Sequence, residues 1–308
     1  MPRVAADQYV SRVRMPEDID RFWEDTLAET AKIPLEPKVV HDPLRSTERI
    51  DVYEVFFTSL DRVRIAGWYA TPRDREGRLP GLLQVPGYNM EPPVPKAWAN
   101  KGYAAFSVAP RGKLRSNRQF NPGYPGLLTY SMVDRNTYSY RGFYMDACRA
   151  VEFLLSRDEV DGERIGVTGH SQGGGLTVST AALRPEIKAA AAGAPYLCGY
   201  MDAIELTDAY PYQEIADYLR LYPERLEQVE NTLAYFDGIN LAHRITCPII
   251  VSVGLQDSTC PPETGFAMFD AIASVDKQMY AYDGHGHDAN NHEHGAIVDD
   301  FLAKHLRP

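Results

Sequence analysis

Apolar residues along this 308-residue chain fall into short runs separated by turn signals, and the runs are rich in Val, Ile, Leu and Ala. Read as strands, they are Asp51 to Phe57, Val63 to Thr71, Gly81 to Val85, Ala104 to Ala109, Arg164 to Thr168, Ala189 to Ala194, Pro248 to Gly254 and Gln278 to Tyr282. From the third onward they alternate with helix-like stretches, notably Arg141 to Arg157, Gln172 to Leu183, Pro262 to Ser274 and Ala296 to His305. Such alternation predicts an α/β architecture: a mostly parallel eight-stranded sheet wound through crossover helices. The first two strands lie too close together for a crossover, so they are expected to pair antiparallel.

Ahead of the strands, Pro16 to Ala31 places Ile19, Phe22, Trp23 and Leu27 at helical spacing, which predicts a helix packed on the body within an N-terminal extension over 1–50. The one large insertion, 196–245, separates the sixth and seventh strands. It is rich in Tyr, Leu, Asp and Glu with helical periodicity, and a cap over a site would sit there. With no internal repeat, low-complexity tract or Gly/Ser linker, the reading is a single domain over 1–308.

Composition narrows the function. Hydrophobic residues at 44% and charged residues at 24% are ordinary for a globular chain with a sizeable core. The formal charge of -10 argues against nucleic acid or an anionic membrane as partner, because both reward clustered Lys and Arg. The opening residues lack a leader-like apolar run and no segment has the length of a membrane span, so cytoplasmic residence is expected. Four separated cysteines, Cys148, Cys198, Cys247 and Cys260, show no paired metal or redox spacing and read as buried free thiols.

The strongest chemical signal is Gly169-His170-Ser171-Gln172-Gly173, a G-x-S-x-G placed directly between a strand and a helix. A nucleophilic serine on such a tight turn needs small neighbours, and Gly169 and Gly173 supply the room. A serine hydroxyl is a poor nucleophile near neutral pH, so a base and an orienting carboxylate should follow it in the chain. Asp257, just past the seventh strand, is the candidate acid, with a capping or turn role as the bland alternative. After the last strand, Asp283-Gly284-His285-Gly286-His287-Asp288 offers two candidate bases, and spacing alone leaves the choice open.

The nearby His292-Glu293-His294 raises a metal site. No further His or Cys stands at ligand spacing, and a metal centre would leave the Ser171 elbow without purpose, so neither metal nor organic cofactor is expected. An oxyanion forming at Ser171 needs two backbone N–H donors. Gln172 supplies one by position; Tyr88, in the Val85-Pro86-Gly87-Tyr88-Asn89 loop, is the candidate for the second, a packed core aromatic being the alternative.

Several separated motifs together resemble carbohydrate esterase family seven, the acetyl xylan esterases and cephalosporin C deacetylases of the α/β-hydrolase superfamily. They are Gly87-Tyr88-Asn89, Arg111-Gly112, Tyr138-Ser139-Tyr140-Arg141-Gly142, Ser171-Gln172-Gly173-Gly174-Gly175, Tyr235-Phe236-Asp237-Gly238, and Gly254-Leu255-Gln256-Asp257 with Cys260-Pro261-Pro262. The resemblance implies a Ser171–His287–Asp257 triad, His287 being chosen over His285 because an acidic residue follows it. It also implies an oxyanion hole from the Tyr88 and Gln172 amides, support from Arg111 and Gly112, short acyl esters as substrates, and a ring-shaped homo-hexamer. The chain departs from the family pattern at Lys113, where Gln is usual, at Asp288, where Glu is usual, and at His170, where Gly is frequent. The expected activity is a serine esterase acting on small acetyl esters of oligosaccharides or cephalosporin-like molecules. The alternatives are the same triad acting on a thioester, lactone or amide, a metal-dependent hydrolase, or a non-catalytic binding protein.

Overall fold

The computed structural model describes residues 5–307. Among these residues nine strands form one sheet in the order β1-β2-β3-β5-β4-β6-β7-β8-β9. They are β1 (Lys38–His41), β2 (Ile50–Thr58), β3 (Arg64–Pro72), β4 (Leu79–Val85), β5 (Ala104–Ala109), β6 (Val160–His170), β7 (Ile187–Gly193), β8 (Ile249–Gly254) and β9 (Lys277–Tyr282). Helices are α1 (Ile19–Ala31), α2 (Lys96–Asn100), α3 (Ser139–Leu155), α4 (Gln172–Leu183), α5 (Tyr200–Leu206), α6 (Gln213–Leu221), α7 (Leu226–Leu233), α8 (Gly238–Leu241), α9 (Pro262–Ala271) and α10 (Asn291–Leu306).

As expected, β2 and β3 pair antiparallel, and the strands from β4 to β9 run parallel. The expected eight strands become nine because β1 was missed. Its residues Lys38, Val39, Val40 and His41 are mostly exposed and pair only with β2, so this short edge strand carries no buried alternation to betray it. Helix limits also differ from the sequence reading: α3 spans Ser139–Leu155 rather than Arg141 to Arg157, α10 spans Asn291–Leu306 rather than Ala296 to His305, and α9 ends at Ala271 rather than Ser274.

The central strands read as continuous apolar runs because both faces of the sheet are covered. Leu83, Phe106 and Ala190 pack into the larger core, while their chain neighbours Leu82, Ala105 and Ala189 point to the opposite face and meet Leu302 and Leu306 of α10. On the larger side, α1 buries Ile19, Phe22 and Trp23, and the Trp23 indole donates to the Tyr235 carbonyl at 2.8 Å. The 196–245 segment folds into α5 to α8, beside the carboxyl ends of the parallel strands where the site lies. No helix among the described residues is long and apolar enough to cross a membrane. The cysteines are free; Cys148, Cys198 and Cys260 are buried as expected, whereas Cys247 is half-exposed.

Candidate active site

Ser171 joins β6 to α4 in a conformation few residues adopt, with φ 61° and ψ -122°. Close packing holds it there. A side chain at Gly173 would meet the Val85 carbonyl oxygen at 2.4 Å, and one at Gly169 would meet the Gly173 backbone at 2.6 Å. Only glycine allows β6, α4 and the end of β4 to converge so closely, and that convergence sets the hydroxyl beside the loop that follows β4.

His287 and Asp257 reach the same point from the loops after β9 and β8. The His287 Nε2 lies 2.9 Å from Ser171 Oγ, and His287 Nδ1 lies 2.8 Å from Asp257 Oδ2. A carboxylate only accepts, so Nδ1 carries the proton and Nε2 is free to accept from the serine hydroxyl. Asp257 is itself held: its Oδ1 accepts from the Thr259 and Cys260 amides at 2.7 and 2.9 Å. The other histidine, His285, instead pairs with Asp288 at 2.8 Å on the exposed side of the loop. Asp288 also accepts from the Gly286 and Asn290 amides, so it shapes the loop that presents His287.

The His292-Glu293-His294 segment forms no ligand cluster. It lies in the first turn of α10, where residues two apart face different directions: His294 is buried against Tyr282, at 2.8 Å from its hydroxyl, and His292 is exposed. Among the described residues, the group of metal-capable side chains that gathers closely is Asp257, Cys260 and His287, with donor atoms within 4.8 Å of one another. Its Asp and His are already engaged with each other and with Ser171, and burial pushes the Cys260 thiol well above its usual range, so it stays protonated.

These groups open onto a cavity of about 720 Å³ walled by Tyr88, Met90, Pro92, Tyr124, Tyr210 and Glu214. Tyr88 lines it beside Ser171, and its hydroxyl donates to Glu214 of α6 at 2.6 Å. Burial raises the Glu214 carboxyl pKa even though that hydroxyl and the Gly126 amide favour its charged form. Gln172 opens α4 and is fully buried; its side chain accepts from Tyr140 at 2.6 Å. Of the tyrosines in the inserted segment, Tyr210 borders the cavity. Tyr196, Tyr200 and Tyr212 are buried in the core, and Tyr218 packs against Tyr222 with the rings tilted at 49°.

Arg111, Gly112 and Lys113 form a second tier. Arg111 makes a two-pronged contact with buried Asp146 of α3, at 3.0 Å for each prong, and donates to the Leu60 carbonyl at 2.9 Å. Gly112 turns the chain at φ 85°. Lys113 then points inward rather than to solvent and is 1% exposed.

One neighbour of the nucleophile had no chemical signal in the sequence beyond its departure from the family pattern. His170 Nε2 donates to the His287 carbonyl oxygen at 2.7 Å and so holds the main chain of the histidine loop. Burial lowers its pKa, which keeps it neutral beside the His287 ring at a centroid distance of 5.3 Å. His170→Ala is expected to lower kcat by roughly 10- to 100-fold, the scale of a small misplacement of a reacting group. Steady-state kinetics at matched folding, judged by circular dichroism, checks this.

A nucleophile elbow on a mostly parallel sheet, with acid and histidine following in that order from later loops, defines an α/β hydrolase of the serine type. The family model for acetyl xylan esterase (AXE1) matches residues 1–305, and the chain belongs to that family. It is 35% identical to the acetyl xylan esterase from Paenibacillus sp. R4, with a TM-score of 0.92 over 99% of this chain and 100% of that one. It is also similar to acetyl xylan esterase 1 from Thermoanaerobacterium sp. JW/SL YS485, at 28% identity and a TM-score of 0.88 over 100% of this chain and 99% of that one. Acetyl esterase Axe7A of Xylanibacter ruminicola is 30% identical over 86% of this chain, which spans 62% of that relative's length.

Proposed function

We propose that the protein is a serine esterase that hydrolyses short acyl esters, chiefly acetates, through an acyl-enzyme. The observation that carries this reading is the continuous Ser171–His287–Asp257 hydrogen-bonded chain, of which Ser171 and His287 line the cavity. His287 takes the Ser171 proton as Oγ attacks the acetyl carbonyl, and Asp257 stabilises the resulting imidazolium. The Tyr88 and Gln172 amides receive the oxyanion, Gln172 from the positive end of α4. His287 then protonates the leaving alcohol, and a water activated by the same imidazole releases acetate.

Membership of the acetyl xylan esterase family supports acetylated xylo-oligosaccharides as substrates, and the family resemblance extends this to cephalosporin-like acetates. The Tyr124 and Tyr210 rings offer flat apolar faces on which a sugar can pack. The same reading includes a homo-hexamer in the cytoplasm, to be tested by light scattering and by fractionation. Hydrolysis of para-nitrophenyl acetate, butyrate and octanoate, with and without chelator, tests the activity. Acetate is expected to be fastest and chelator to have no effect. Preference for octanoate overturns the short-acyl assignment, and loss of turnover with chelator overturns the metal-independent mechanism.

A further inference from the structure

Lys113 is a buried cation without an ion-pair partner close by among the described residues. Its ammonium donates to the Gly87 carbonyl oxygen at 2.8 Å and to the Tyr88 carbonyl oxygen, and it lies 4.9 Å from the centre of the Tyr124 ring. Glu91 is the carboxylate that acts on it, through space and without a hydrogen bond. Burying a charge in this way is costly unless the site uses it. Its backbone has little freedom, because Arg111 is clamped to Asp146 and Gly112 makes the turn between them.

Of the two carbonyls, that of Tyr88 begins the next peptide unit, and that of Gly87 belongs to the unit that carries the Tyr88 N–H. Because that unit is planar and trans, the Gly87 carbonyl and the Tyr88 N–H point in opposite directions. Whatever grips the carbonyl therefore aims the N–H. Gln172 Nε2 approaches the same Gly87 oxygen more loosely, at 3.4 Å, and Glu214 holds the Tyr88 side chain rather than its amide. The short grip on the peptide itself comes from Lys113.

We infer that Lys113 is a positioning residue for ester hydrolysis: its ammonium locks the Gly87–Tyr88 peptide so that the Tyr88 N–H faces the oxyanion, and its charge polarises that N–H. The inference rests on the proposed role of the Tyr88 amide. Because an aimed and polarised donor acts mainly as charge develops in the transition state, the effect falls on kcat rather than KM.

The charge is also conditional. Burial pulls the Lys113 ammonium down to about 7, with Glu91 opposing that shift. The other groups around it are the Tyr124 ring, the Tyr88 phenol held by Glu214 of α6, and Arg111, which Asp146 of α3 neutralises. Below the pKa Lys113 is a cation; as pH rises through it, the charge is lost. With that charge lost the Tyr88 N–H is less polarised, and kcat has a falling alkaline limb.

The test is kcat and KM for para-nitrophenyl acetate across about pH 6 to 9 in wild type, Lys113→Gln, Lys113→Met and Ser171→Ala, with folding followed by thermal melts. Lys113→Gln keeps a donor but no charge: the expected result is a kcat about tenfold lower at the acid end, KM within about twofold, and no alkaline limb. Lys113→Met removes the donors as well and is expected to lose about 100-fold in kcat; if it fails to fold, the Gln variant carries the test. Wild-type kcat in the Lys113 variants, a change in KM alone, or a lower kcat with the alkaline limb intact each overturns the inference. Ser171→Ala separates the two levels: if it retains turnover, the serine mechanism itself fails, whereas an inactive Ser171→Ala beside unaffected Lys113 variants removes the Lys113 role alone.

Discussion

Ser171→Ala is expected to lower kcat for acetyl esters on the order of 10⁶-fold, the scale seen when a triad nucleophile is deleted. The size follows from how the site divides its work. Without Oγ there is no acyl-enzyme, and only binding and the oxyanion donors remain to assist direct attack by water. The fold should survive. Alanine faces the same positive φ that serine already occupies, Gly169 and Gly173 already provide the close packing, and the lost hydrogen bond to His287 is worth about 1 kcal/mol net. Titration with a fluorophosphonate gives an independent readout: wild type should be labelled once per chain and the variant not at all. Turnover at the wild-type level in the variant would sink the triad.

A comparably large effect, on stability rather than chemistry, is expected at Asp146, which has no contact with the cavity. Its carboxylate is fully buried and accepts from both the side chain and the backbone amide of Arg111. Asp146→Ala leaves the guanidinium inside the protein with the Leu60 carbonyl and a single contact to exposed Asp61. Removing one member of such a pair typically costs about 3–5 kcal/mol, because the charge that remains is uncompensated. Urea denaturation of Asp146→Ala, Arg111→Met and the double variant tests this. The double variant should recover much of the loss, since no stranded charge is left. Equal destabilisation in the single and double variants would show that the pair acts through shape and not through charge. The same variants probe the floor under Lys113, since the clamp on Arg111 sets where the next residues emerge.

Much of this molecule was legible along the chain because the informative features are local. The strand–Ser171–helix elbow depends on residues within a few positions of one another, and glycine spacing there reflects a steric demand of the turn itself. The apolar runs marked β2 to β8 because each is buried on at least one face, and the half-buried Met279, Tyr280 and Tyr282 marked β9 at one edge, whereas β1 escaped because it is mostly exposed and has backbone pairing without a buried pattern. The order of serine, acid and base, Ser171, Asp257 and then one of His285 and His287, could be set out from the sequence of loops alone.

Other features depend on which distant segments meet, and composition carries no record of that. Two histidines two residues apart are chemically alike in sequence; the turn organised by Asp288 sends His287 to Ser171 and leaves His285 paired with Asp288. Tyrosines spread through one inserted segment look interchangeable, yet packing buries Tyr196, Tyr200 and Tyr212 and leaves Tyr210 at the cavity. A lysine by itself favours solvent. Lys113 turns inward because the Arg111–Asp146 clamp and the Gly112 turn leave its backbone under the Gly87–Tyr88 loop, where two carbonyls take the place of water. The chain by itself determined most of the elements, their order and the elbow that presents Ser171, all matters of short-range sterics and hydrophobic periodicity. Tertiary structure decided which histidine, which tyrosine and which cation reach the site, because burial and long-range hydrogen bonding choose among residues that local physics treats as equal.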